Sequence, residues 1–173
     1  MKGRRLLFVL LLAALVAPVA GCGAGKPATR LLPSEQKLKG MYEACQNIKL
    51  NEQGAATRTI STRELPGLGT IEISAVLVRS NGMTKTDKWS GVRFSDVLGH
   101  FGVVSPFKEL RIEGWDGYVG RVSSEIALRP DTILADTRNG KPLPREDGPV
   151  RLVVGSEDGF YWIRMITIIE VIR

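Results

Sequence analysis

The forty residues Leu134–Arg173, LADTRNGKPLPREDGPVRLVVGSEDGFYWIRMITIIEVIR, decide how the rest of the chain is read. Asn139-Gly140 is a turn dipeptide, and Pro142 and Pro144 keep the following segment extended and exclude helix. Gly148-Pro149 makes a second bend. Val150-Arg151-Leu152-Val153-Val154 then has the β-branched density of a buried strand. Glu157-Asp158-Gly159 turns again, and Trp162 to Ile172 is a long apolar final run. Two arginines, Arg151 and Arg164, are expected inside these otherwise hydrophobic strands. A buried or half-buried guanidinium needs an anionic partner, because an unpaired charge is costly there. The pair is the first indication of an anion site.

The 173 residues are the length of one domain. Lys2, Arg4 and Arg5 precede an apolar run, Leu6 to Ala17, which has the length of a signal peptide and is short for a membrane span. Val19-Ala20-Gly21-Cys22 follows and resembles the lipobox of bacterial lipoproteins, in which cleavage precedes a cysteine that receives palmitate-type acyl chains. This reading divides the chain into a lipoprotein signal peptide (1–21), a small, proline-bearing tether (22–33) lipidated at Cys22, and a domain (34–173). It places that domain outside the cytoplasm, in the bacterial cell envelope, with the membrane as partner through the lipid.

Of the 24 basic residues, three lie in 1–21, which leaves 21 against 18 acidic ones. So mild an excess, spread along the chain, gives no support to nucleic-acid binding. Beyond Cys22 the only cysteine is Cys45, so no disulfide framework is available. A single histidine, His100, excludes a multi-histidine zinc site. No CxxC, HExxH, GxSxG or phosphate-loop pattern occurs.

Further along, Leu38, Met41, Tyr42 and Cys45 recur at three- and four-residue steps, predicting an amphipathic helix from about Glu35 to Ile48 with Cys45 on its apolar face. A loop is expected over Asn51–Ala56, a strand over Thr57–Ile60, and one helical turn over Ser61–Leu65 closed by Pro66-Gly67. Ile71 to Leu77 alternates as a half-buried strand. Thr84–Lys88 reads as a polar loop. Phe94, Val97, Leu98 and Phe101 mark a helix that ends at Gly102 with His100 near its C-terminus. Leu110–Glu113 and Tyr118–Val122 form a hairpin about Gly114-Trp115-Asp116-Gly117, and a short helix runs from Ser123 to Leu128.

Several of these stretches together carry a resemblance. The order LA-x3-NG-x-PLP, then G-PxRLVV, with Trp89-Ser90-Gly91-Val92 and Gly114-Trp115-Asp116-Gly117-Tyr118 upstream, resembles the molybdopterin-binding domain of the sulfite oxidase family over about residues 62 to 172. The resemblance implies a compact α+β domain with a mixed sheet. It also implies a molybdopterin (molybdenum) cofactor, oxidoreductase chemistry on a redox substrate it does not specify, and a separate electron-transfer protein as partner.

Carried over residue by residue, the cofactor contacts would be Asp147, Arg151, Trp162, Ile163 and Arg164. Arg151, in the PxRL motif itself, would donate charge-assisted hydrogen bonds to phosphate or pterin oxygens. The alternative for Arg151 is a structural ion pair with Asp147, Glu146 or Asp136. One departure bears on activity. In the family, the cysteine whose thiolate binds molybdenum falls where this chain has Arg79, within Val76-Leu77-Val78-Arg79-Ser80-Asn81-Gly82. A guanidinium has only donors and cannot ligate the metal, although it could pair with a cofactor phosphate. No residue is assigned as catalytic or as a metal ligand. Two readings therefore stand: a membrane-anchored molybdopterin oxidoreductase, or a non-catalytic binding or accessory lipoprotein that keeps the fold without the metal-ligating cysteine.

Overall fold

A computed structural model describes residues 33–78, 84–155, 157 and 159–173. The signal-peptide segment, Cys22 and Arg79 lie outside the described residues. Helix α1 (Pro33–Ala44) leads into β1 (Asn47–Glu52), β2 (Arg58–Ser61), a 3-10 turn (Leu65–Leu68), β3 (Ile71–Val78) and β4 (Thr84–Arg93). Then follow α2 (Phe94–His100), β5 (Glu109–Gly114), β6 (Val119–Ser123), α3 (Ser124–Ala127), β7 (Thr132–Arg138), β8 (Lys141–Pro142), β9 (Arg151–Val154) and β10 (Ile166–Ile172).

The strands form two sheets. The first runs β2-β1-β10-β5-β6, with β1 and β10 parallel and its other pairs antiparallel. The second runs β3-β4-β7-β8, with β9 also paired to β7. The main core lies between the sheets. Ile48, Leu50, Ile60, Leu110, Ile112, Ile166 and Ile169 come from the first sheet; Val92, Leu134 and Leu152 come from the second, with Phe94 and Leu98 of α2. Alternation along β7 and β9 turns Ile133, Ala135 and Val153 the other way. There they meet Ala75, Trp89 and Trp162 in a second cluster on the far face of the second sheet. Burial on both faces explains why Leu152–Val154 reads as continuously apolar.

The expected α+β domain with a mixed sheet is what forms. The hairpin about Gly114–Gly117, the α2 helix and the cap at Ser123, whose hydroxyl accepts from the Ile126 amide at 3.3 Å, all follow the sequence. Asn139 and Gly140 have φ of 51° and 72°, the two positive values a type I′ turn requires between β7 and β8.

Three expectations are corrected. The first helix ends at Ala44, and Asn47–Glu52 is a strand, because Ile48 and Leu50 alternate into the main core while their neighbours face outward. The helical turn starts four residues later than expected, and Pro66-Gly67 lies inside it: proline's fixed φ suits the first turn. Thr84–Lys88 is the start of β4, paired with β3 through Val78↔Thr84 to Ser74↔Lys88. Its polarity hides it, since most of its side chains are exposed and the buried one is Asp87.

Gly91, in the Trp-Ser-Gly-Val stretch, has a steric role. The β4–β7 ladder shifts register between Ser90 and Gly91, and a Cβ at Gly91 would strike the Leu134 carbonyl and the Ala135 Cα.

Candidate functional site: an arginine and tryptophan cavity

Arg151 is the first residue of β9. The chain leaves β9 at Gly155, returns through Gly159–Tyr161, and comes back alongside it, so that Arg151 and Arg164 form an antiparallel bridge and the Leu152 amide donates to the Ile163 carbonyl at 2.8 Å. Like charges directly opposite each other are unfavourable, and each guanidinium has found an acid. Arg151 Nη1 lies 3.3 Å from Asp147 Oδ1, and Arg164 Nη2 lies 3.5 Å from Asp116 Oδ2. Together Arg151, Arg164, Asp116, Tyr118, Gly159 and Trp162 line a cavity of about 280 Å³.

Trp162 lines the cavity, and Trp89 packs against it from within the second cluster. Trp89 and Trp162 meet edge to face with ring centroids 5.5 Å apart, and the Arg151 guanidinium lies 5.8 Å from one ring and 6.0 Å from the other. Trp162 is fixed by donating its indole N–H to the Val154 carbonyl at 3.0 Å. A third guanidinium, Arg138, lies 5.5 Å from the Trp89 ring and 4.0 Å from the second oxygen of Asp147. Burial holds the Arg151 pKa below its ordinary value; Asp147 opposes this, while Arg164 and Arg138 add to it. Among the described residues, Arg151 Nε and Trp89 Nε1 are buried with no hydrogen-bond partner. Buried donors of this kind are expensive unless a ligand uses them.

Asp147 is buried at 8 % exposure, and its acid group engages Arg151, the ion pair weighed in the sequence. It stands behind the arginine, and it is not among the residues lining the cavity. Ile163 is turned into the main core, where its side chain fills the space beneath Gly120. Arg164 is not in a strand: it precedes β10 and is nearly half exposed, which suits a rim position. Among the described residues, then, the structure brings Arg151, Trp162 and Arg164 to one cavity and leaves Ile163 out of it.

Sequence reading missed Asp116, Tyr118 and Arg138. The first two were visible only as parts of a tight turn, and Arg138 as the approach to another. Met165 was also missed. Its φ of 50° is uncommon for a side-chain-bearing residue; its amide donates to the Asp147 carbonyl at 3.3 Å, and its carbonyl accepts from the Trp115 amide at 2.8 Å. One turn therefore ties the Asp147 segment to the β5–β6 hairpin that supplies Asp116 and Tyr118.

Cys45 packs with Met41 and Met165 and is fully buried. Burial, and secondarily the Asp116 carboxylate, push its thiol up to about 11. It is a neutral core thiol, and metal ligation needs a thiolate.

The chain is thus a two-sheet α+β domain with a cavity walled by Arg151, Arg164 and Trp162. Residues 48–173 match the family described as oxidoreductase molybdopterin binding domain, and the chain belongs to that family. Its fold is similar to that of the sulfane dehydrogenase SoxCD from Paracoccus pantotrophus, with a TM-score of 0.65 and 21% identity. The match covers 74% of this chain and 39% of that one, so the chain spans about two fifths of that neighbour's length. No curated protein matches the chain.

The family's cofactor is molybdopterin, and two guanidiniums and the Trp162 ring at the wall suit its organic, anionic part, with the Asp116 carboxylate on the same wall paired to Arg164. The metal's protein ligand does not fit so readily. Among the described residues Cys45 is the only cysteine and it is neutral, and no group of three or more His, Cys, Asp or Glu side chains assembles there.

Proposed function

We propose that this chain is a lipid-anchored, molybdopterin-binding oxidoreductase domain of the bacterial cell envelope that holds the anionic end of its cofactor between Arg151 and Arg164. The observation that carries the proposal is Arg151 itself: a largely buried guanidinium that lines a cavity, is backed by Asp147 and, among the described residues, keeps one donor without a partner. Arg151 donates to the cofactor anion, Arg164 completes the charge at the rim, and Trp162 presents a flat apolar wall. When bound, the molybdenum cofactor supplies two-electron redox chemistry. Anchoring rests on the basic and apolar leader with Val19-Ala20-Gly21-Cys22. Electrons would pass to a separate protein.

A second reading, a binding or accessory lipoprotein without metal chemistry, is favoured by two observations: Arg79 at the cysteine position of the family pattern, and the neutral state of Cys45.

One preparation tests both. The full chain is produced in a bacterial host that makes the cofactor, extracted in detergent, and assayed for molybdenum by elemental analysis and for released pterin by fluorescence. Both near one per chain support the first reading, and Arg151→Ala is then expected to lose the pterin. Pterin without metal supports the second, and neither in a folded sample removes the cavity as a cofactor site. On the same material, Cys22→Ser is expected to abolish labelled palmitate incorporation; undiminished labelling would exclude Cys22 as the lipidated residue.

A further inference from the structure

A second cavity, of about 380 Å³, opens beside Arg138. It is lined by Lys85, Arg138, Asn139, Lys141, Pro142 and Pro144. Three of these six residues are cations and none is an acid, while both prolines lack an N–H and hold the wall rigid. Its electrostatic balance is uneven. Lys85 lies 3.5 Å from Asp87 Oδ2, but that carboxylate also accepts from Asn139 Nδ2 at 2.6 Å. Arg138 reaches Asp147 only at 4.0 Å, beyond hydrogen-bond range, and Asp147 is already engaged by Arg151 at 3.3 Å. Among the described residues Lys141 has no acid within ion-pair distance.

The cavity is also built to keep its shape. Asn139 donates its backbone N–H to the Lys88 carbonyl at 2.7 Å and accepts from the Lys88 amide at 2.8 Å, so the turn that carries it is pinned to β4. Arg138 is held against the Trp89 ring. A pinned turn and a seated Arg138 beside a concave space meet part of the ordering cost of an anion site in advance.

We infer that the cavity between Lys85, Arg138 and Lys141 is a second anion-binding site, for a small polyvalent oxyanion of the phosphate or sulfate kind. It communicates with the first cavity through Asp147, which stands between Arg138 and Arg151. An anion bound beside Arg138 takes up the charge of that guanidinium where it stands and leaves Asp147 wholly to Arg151, which then has less charge to offer at the first cavity. Occupancy of either site therefore weakens the other, by the same factor in both directions.

The test uses the full chain in detergent, titrated with inorganic phosphate in low-salt buffer while the Asn139 side-chain amide is followed by NMR. A saturable shift is expected, weakened at least about tenfold in Lys85→Ala/Lys141→Ala by loss of two cations, and retained in Arg164→Ala. Both lysines are solvent-exposed, so the fold should survive their loss, which circular dichroism checks. A parallel titration with short-chain phosphatidylglycerol separates the sources: saturation by inorganic phosphate identifies a free oxyanion, saturation by the lipid alone a headgroup. An Asn139 signal that does not move with either, or a double variant that binds undiminished, overturns the site. The readout does not involve the cofactor, so its failure and failure of the proposed function are separate results.

Discussion

Arg151 reaches back four residues to Asp147, across the Gly148-Pro149 bend, and meets its carboxylate at 3.3 Å with both side chains mostly buried. The bend makes this contact possible: Gly148 has φ of 86° and packs against Met165, with no space for a side chain. An acid behind an arginine orients it and lowers the cost of burying it. It also subtracts from the charge the arginine shows a ligand.

Asp147→Asn preserves the size of this side chain and removes its charge. Anion affinity at both cavities is expected to rise several-fold, because Arg151 and Arg138 are released together. Stability should fall by about 3 kcal/mol or more, the usual cost of leaving a mostly buried charge without its partner. Urea unfolding and phosphate titration on the same variant check both directions; a loss of anion affinity would show that Asp147 itself supports the ligand.

Cys45 gives a pH signature. Its folded pKa, about 11, lies above the ordinary 9.0, so the folded state binds the proton more tightly. The stabilising contribution is complete below pH 9.0 and is lost as pH rises towards 11. That contribution is about 2–3 kcal/mol at most. The stability difference between the parent and Cys45→Ala should shrink over that interval, and native Cys45 should resist thiol reagents until the chain unfolds. Rapid labelling of the folded protein at neutral pH would contradict the buried, neutral thiol.

How much of this was readable beforehand depended on whether a residue's role was local. Asn139-Gly140, Ser123 and the α2 stripe declare themselves, because turn, cap and helix are set by a few neighbouring residues. Arg151 stood out because a charge in a run of Leu and Val needs an explanation. β1 and the start of β4 were hidden for opposite reasons. Ile48 also continues a helical stripe, and Thr84–Lys88 is polar because it lies where the ladder is exposed. The cavity partners were beyond sequence reasoning. Asp116 and Arg164 are brought together by an excursion from β9 and a backbone turn at Met165, and no spacing along the chain encodes that meeting.

Gly91→Ala and Gly120→Ala separate two kinds of crowding. At Gly91 the obstruction is backbone, the Leu134 carbonyl and Ala135 Cα, which cannot yield without disturbing the β4–β7 ladder. At Gly120 it is the Ile163 δ-methyl, the far end of a flexible side chain. The first variant should lose about 3 kcal/mol or more and the second about 1 kcal/mol, read from denaturant midpoints. Equal losses would place the constraint elsewhere.

Glu52 secures the end of β10 to β1: Arg173 donates to it at 2.8 Å through Nε, and Arg58 at 2.7 Å. The Arg173 hydrogen bond, with that of Arg58, holds its carboxyl below the ordinary 4.5. The linkage runs opposite to that of Cys45. Its stabilisation is present above 4.5 and fades as pH falls through the lower folded value. Parent and Glu52→Gln should differ at neutral pH and converge in acid; a constant difference would mean the glutamate acts through packing.

The parallel contact of β1 with β10 sets a timetable for the chain's assembly. Lys49 waits for Ile168, about 120 residues later, and β10 is also what joins β1 to β5. Until that last strand arrives, the first sheet is two separate ribbons with open edges, exposed to pairing with other chains. Refolding should thus be slow and concentration-sensitive. Whatever accompanies the nascent chain has to shield those edges until its final strand is made.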